Sequence, residues 1–143
     1  MPPAQNPRSG CPVVFALDVF GDRWTLLVIR DMVLRGFTTY GEFLKAGEQI
    51  STNILADRLK RLEARGLVTK RQDPENRAKK RYTLSEQGLD LVPVLVEMMR
   101  WSAKHDPESP VSEGFRRQLD DPAELARAIL KRHEEAGEPS RLC

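Results

Sequence analysis

Apolar positions along the chain switch between a helical period and an alternating one, and caps or turn residues mark the switch points. After Pro12, the residues Val13, Ala16, Leu17 and Phe20 recur at helical spacing until Gly21. This predicts a first helix with Pro12 in its opening turn, where the missing N–H is no loss. Asp22 reads as the N-cap of a second helix, apolar at Trp24, Leu27, Val28 and Leu34 and polar at Arg23, Arg30, Asp31 and Arg35, with Gly36 at its end. Residues 37–40 form a short β-prone piece. Thr39 with Glu42 has the form of a capping box for a brief third helix ending near Gly47, and Gly41 is the alternative cap.

Ser51 caps a fourth predicted helix whose Leu55, Leu59 and Leu62 share one face before Gly66 closes it. At 3.6 residues per turn the opposite face holds Asn53, Asp57, Lys60 and Arg61. Residues 67–72 and 79–84 are strand-like, and the polar stretch 73–78 joins them as a hairpin. Ser85 begins a long helix running toward Trp101, with Pro93 inside it expected either to kink it or to leave a carbonyl unpaired. Leu89, Leu91, Val92, Val94, Leu95, Val96, Met98 and Met99 wrap more than one side of that helix, so it needs a second surface to pack on. The segment through Pro107 and Pro110 reads as irregular, and 122–135 as a terminal amphipathic helix carrying Leu125, Ala126, Ile129 and Leu130. The expected division is a loose N-terminal arm at 1–10, one domain at 11–104 and a C-terminal extension at 105–143.

A length of 143 residues suits one folded unit with tails, and 40% hydrophobic with 31% charged residues is ordinary for a globular protein. Apolar runs such as 26–29 are far too short to span a bilayer, and the first ten residues lack a secretory signal, so a cytoplasmic location is expected. Cys11 and Cys143 lie near opposite ends and suggest neither a disulfide framework nor a metal cluster. No Ser/His/acid set, metal-ligand cluster or Gly-rich phosphate loop has a usable spacing, which argues against an enzyme and against a cofactor. His105 and His133 read as inert imidazoles, and Trp24 and Trp101 as core or interface residues.

Charge changes the picture more than composition does. From Ser51 to Tyr82 there are ten Lys or Arg against four Asp or Glu, net plus six on a chain whose total is plus two. A field of one sign confined to one region suits a polyanion. Two short helices, the second basic on its outside, followed by a hairpin with a charged tip, make a winged helix-turn-helix: mainly α, with a small β wing. In that arrangement the fourth helix enters the major groove of double-stranded DNA. Ser51 and Thr52 offer hydroxyls and backbone N–H groups to a phosphate, Asn53 reads adenine, and Lys60 or Arg61 reaches guanine or phosphate. Asp57 either accepts from cytosine or pairs with Lys60 or Arg61. Arg77, Lys79 and Lys80 follow the backbone or enter the minor groove. The competing reading is a winged helix that grips another protein, and it differs in salt response. Cys11, placed at the N-cap by Pro12, has a helix dipole that favours thiolate and is the candidate reactive thiol.

The runs CPVVFALDVFGDRWTLLVIRD, YGEF, IST, LADRLKRLEARGLVTKR and RYTLSEQG, in this order and spacing, resemble the HxlR family of bacterial winged-helix transcriptional regulators over about two thirds of the chain. The resemblance implies a homodimer on a pseudo-palindromic operator, usually repressing, with terminal helices paired across the two-fold axis. It also implies that a Cys at the place of Cys11 can sense oxidants or electrophiles, so an oxidant or small-molecule effector is a further expected partner. Thr39 and Gly41 depart from the family, where a basic residue and a Ser are frequent.

Overall fold

The computed structural model describes residues 10–136 and arranges them as eight helices and one antiparallel hairpin. The order is α1 (Pro12–Phe20), α2 (Arg23–Leu34), α3 (Tyr40–Leu44), α4 (Thr52–Ala64), β1 (Val68–Gln72), β2 (Lys80–Leu84), α5 (Glu86–Leu89), α6 (Val92–His105), α7 (Glu113–Leu119) and α8 (Pro122–Ala136). The N-terminal arm up to residue 9 and Cys143 lie outside the described residues.

Helix α2 is the hub. Its Val28, Ile29, Met32 and Val33 are buried and meet the leucine seam of α4, namely Leu55, Leu59 and Leu62, in one continuous core. Phe43 of α3, Val92, Leu95 and Val96 of α6, and Leu125, Ala126 and Ile129 of α8 extend it. Helix α4 stops where its sequence predicts. Gly66 takes a left-handed φ of 81°, letting its own N–H reach Glu63 O at 3.0 Å and the Leu67 N–H reach Leu62 O at 2.9 Å. That pair of bonds is a Schellman closure, and it aims the chain into the wing. The hairpin pairs Val68 with Leu84 through to Gln72 with Lys80.

The structure departs from the sequence reading at three places. The long helix from Ser85 is two helices, because the chain turns at Asp90 and Leu91. Pro93 therefore falls in the first turn of α6, where no N–H is needed, and neither kinks a helix nor orphans a carbonyl. Residues 37–40 form no strand; they contribute one ladder-like bond, from the Tyr82 N–H to Thr38 O at 2.8 Å. Beyond Pro110 a further helix, α7, begins at Ser112, whose hydroxyl accepts the Phe115 N–H. Its Leu119 is buried in the shared core. Thr39 rather than Gly41 caps α3, with the complete capping box.

Candidate nucleic-acid interface

Helices α3 and α4 are locked together by groups the sequence placed at their ends. Ser51 Oγ accepts the Ile54 N–H and starts α4, and Tyr40 Oη donates to Thr52 O at 2.7 Å across the turn. The turn is anchored on the other side by Arg30 of α2, whose Nη1 and Nη2 donate to the two Glu48 oxygens at 3.0 and 2.8 Å. The same guanidinium contacts buried Asp31 at 2.7 Å. Arg30 holds Glu48 below the ordinary carboxylate value, while burial lifts Asp31 above its own. A second tie runs from Arg58 Nε to Asp22 Oδ2 at 2.9 Å, fixing α4 to the N-terminus of α2. Burial alone would raise the Asp22 carboxyl, but hydrogen bonds from Arg58 and Thr25 outweigh it and leave it lowered.

With its inner face held in this way, α4 presents Thr52, Asn53, Lys60 and Arg61 to solvent, next to exposed Ser51. The Ser51 hydroxyl has its acceptor side committed to the cap and keeps its proton to donate. Asp57 pairs with Arg61 Nε at 2.9 Å and with Arg58, not with Lys60.

The wing is organised by two side chains at its tip. Asp73 accepts the Glu75 N–H at 2.8 Å and Arg81 Nε at 2.9 Å, and Asn76 accepts the Ala78 N–H at 3.1 Å. The Glu75 N–H first, and then Arg81, hold the Asp73 carboxyl below its usual value despite its burial. Arg81 faces Arg71 directly across the ladder, a repulsive placement relieved by Asp73 and by Thr38 Oγ1 at 2.7 Å. Arg77, Lys79 and Lys80 are left exposed.

These pairings sort the charges of the basic region. Arg58, Arg61, Lys70 and Arg81 are in ion pairs, whereas Lys60, Arg65, Arg71, Arg77, Lys79 and Lys80 are in none among the described residues. Three of the four anions, Asp57, Glu63 and Asp73, are occupied by those paired cations. An exposed, unneutralised positive surface thus runs from the outer face of α4 to the wing tip.

The HxlR-like helix-turn-helix family model matches residues 19–110, which include α2 through α6 and both wing strands. The chain belongs to this family. Among HxlR-like relatives, the uncharacterized HTH-type transcriptional regulator YybR of Bacillus subtilis (strain 168) is 33% identical over 94 residues, 66% of this chain and 74% of that one. The crystal structure of PA1607 superposes with a TM-score of 0.66 at 33% identity, covering 73% of both chains. The redox regulator HypR in its oxidized form gives 0.58 at 30% identity, covering 66% of this chain and 97% of that one. Thr39, where the resemblance led a basic residue to be expected, is buried at 6% exposure, its hydroxyl accepting the Glu42 N–H.

The sequence reading brought Asn53, Lys60, Lys79 and Lys80 to the surface expected of them, but missed Arg65 and Arg71, which are equally exposed and unpaired. Arg71 was findable, because strand β1 is buried only at Val68. Cys11 stands exposed at the N-cap of α1 with Pro12 in the first turn. Among the described residues no group of His, Cys, Asp or Glu could hold a metal, and no helix is long and apolar enough to cross a membrane.

Proposed function

We propose that this HxlR-like protein regulates transcription by binding double-stranded operator DNA as a homodimer, with repression as the usual sign. Each α4 lies in a major groove and each wing flanks it, with half-sites about one helical turn apart or a multiple of that. The observation that carries this reading is the sorted charge: anions beside the helix and wing are tied to their own cations, and the remaining cations face outward. Ser51, Thr52, Asn53, Lys60 and Arg61 serve as helix contacts, and Arg77, Lys79 and Lys80 as wing contacts. Asp57 acts by orienting Arg61, a weak exposed pair that a phosphate can displace.

Dimerisation is supported by apolar side chains that this chain leaves uncovered. Helix α1 has no buried residue; Val13 and Leu17 are 64% and 58% exposed, and Trp101 of α6 is 67% exposed. HypR is described as a redox regulator, and Cys11 sits at the start of α1, so oxidation or alkylation of its thiol would act on the dimer face. Diamide treatment that modifies Cys11 fully and leaves DNA affinity unchanged would refute that role.

Affinity for a promoter fragment and for random duplex, measured across salt concentrations, tests the main reading. Each phosphate contact contributes about 0.9 to the slope of log affinity against log salt, so Lys79→Ala with Lys80→Ala should flatten it by about two and weaken all sequences alike. A salt-independent affinity would point instead to a protein partner.

A further inference from the structure

A wide-mouthed cavity of about 770 Å³ lies between α2, α6, α7 and α8. Its volume falls within the roughly 300–1,000 Å³ of small-molecule sites. Four helices converge on it, so it is a concavity rather than a face. Leu27, Leu34, Leu95, Met99, Phe115 and Ile129 give it an apolar body. The walls from α7 and α8 lie beyond residue 110, where the family match ends, so the cavity is a product of this chain's own extension.

Four polar side chains line it, Arg23, Arg30, Ser102 and Ser112, and two of them are already engaged. Ser112 caps α7, and Arg30 is bound to Glu48 and Asp31. Arg23 differs: exposed to solvent, it contributes to the lining of the open cavity, lies over the Trp24 ring at 5.2 Å, and joins no ion pair among the described residues. An apolar chamber with one uncompensated guanidinium is complementary to a molecule with an apolar body and one negative end.

We propose that this cavity binds a small amphipathic anion, an alkyl or aryl carboxylate, whose body lies among α2, α6 and α7 and whose carboxylate pairs with Arg23. Arg30 shares the wall, and besides Asp31 it binds Glu48 in the turn before α4. A bound carboxylate adds a third anion near Arg30 and draws it from Glu48, so occupancy loosens the turn that sets the recognition helix. That consequence for DNA rests on the regulator reading, whereas the binding does not.

Calorimetric titration of the full chain, without DNA, with decanoate and 1-naphthoate against decan-1-ol tests the site. Decanoate should bind once per protomer and roughly tenfold more tightly than the alcohol. Arg23→Gln should erase that preference and leave the alcohol's affinity unchanged, and methyl NMR should shift Leu27, Leu95 and Met99. Binding by neither acid, equal affinity for acid and alcohol, a preference that survives Arg23→Gln, or contacts from the α1 of a second copy to Phe115 would each overturn the proposal. Saturating decanoate should also weaken promoter affinity at least about threefold in the natural protein and not in Arg23→Gln; bound decanoate with no such change overturns the Arg30 coupling. A natural protein that retains no DNA even at low salt contradicts the regulator reading, while the calorimetry still decides the cavity.

Discussion

Asp22 does three jobs with one carboxylate. It caps α2 through the Trp24 and Thr25 N–H groups, holds the Thr25 hydroxyl, and receives Arg58 from α4. Asp22→Ala should therefore lower stability by about 1–2 kcal/mol, read by urea unfolding. Asp22→Asn keeps an N-cap and removes only the charge, so at neutral pH it should cost about 0.5–1 kcal/mol, the pair being partly open to solvent. The sign of the pH effect follows from the lowered value of Asp22, which Glu48 shares. Their contribution is fully present above the unfolded carboxylate value and is lost as pH falls through the folded one. The gap between natural protein and Asp22→Asn should close once the native carboxylate is protonated; a gap that persists in acid would assign the effect to shape. Asn53, by contrast, makes no hydrogen bond through its amide among the described residues. Asn53→Ala should shift the sequences recovered by selection from random duplex and leave stability within about 0.5 kcal/mol.

At the scale of elements, the connections carry the tightest requirements. Gly66→Ala forces a Cβ into a left-handed conformation and should cost about 1–2 kcal/mol. At Gly88 the conformation is ordinary, but an added Cβ would stand 2.3 Å from Leu67 O. Gly88→Ala should cost about 1–3 kcal/mol in thermal or urea unfolding and push α5 away from the base of the wing. Much of α1 through β2 was legible in the sequence because caps, periods and turn residues are local. Ser51, Thr39 and Gly66 each signal within four residues of where they act. The break before α6 was not legible, because Pro93 permits either a kink or a new start, and the close packing of Gly88 on Leu67 favours the second. Helix α7 had its signals, Ser112 and the spacing of Val111, Phe115 and Leu119, but Pro110 and Gly114 masked them, and burial against α6 and α8 decided the matter. In the candidate site, exposure and the Asp57–Arg61 pair at i, i+4 followed from the helical wheel, whereas the long-range pairings did not. Arg58 meets Asp22 36 residues away and Arg30 meets Glu48 18 residues away, separations that no local pattern encodes.

For the molecule as a whole, the positive surface and the bare apolar surface belong to different elements, the first to α4 and the wing, the second to α1 and α6. That separation fits a dimer that reads two half-sites. Leu17→Glu should convert the protein to a monomer in sedimentation velocity and weaken operator binding at least about a hundredfold, since each module then binds alone. The sparse cover of α1 carries one more implication. Nine residues are too few to hold a helix in water unaided, and among the described residues only Val19 and Phe20 of α1, both partly buried, pack against the core. In the proposed dimer the second copy supplies the rest of its cover: dilution through the dimer constant should reduce the helical circular dichroism signal, and amide exchange at 12–20 should speed up long before the hub around α2 opens.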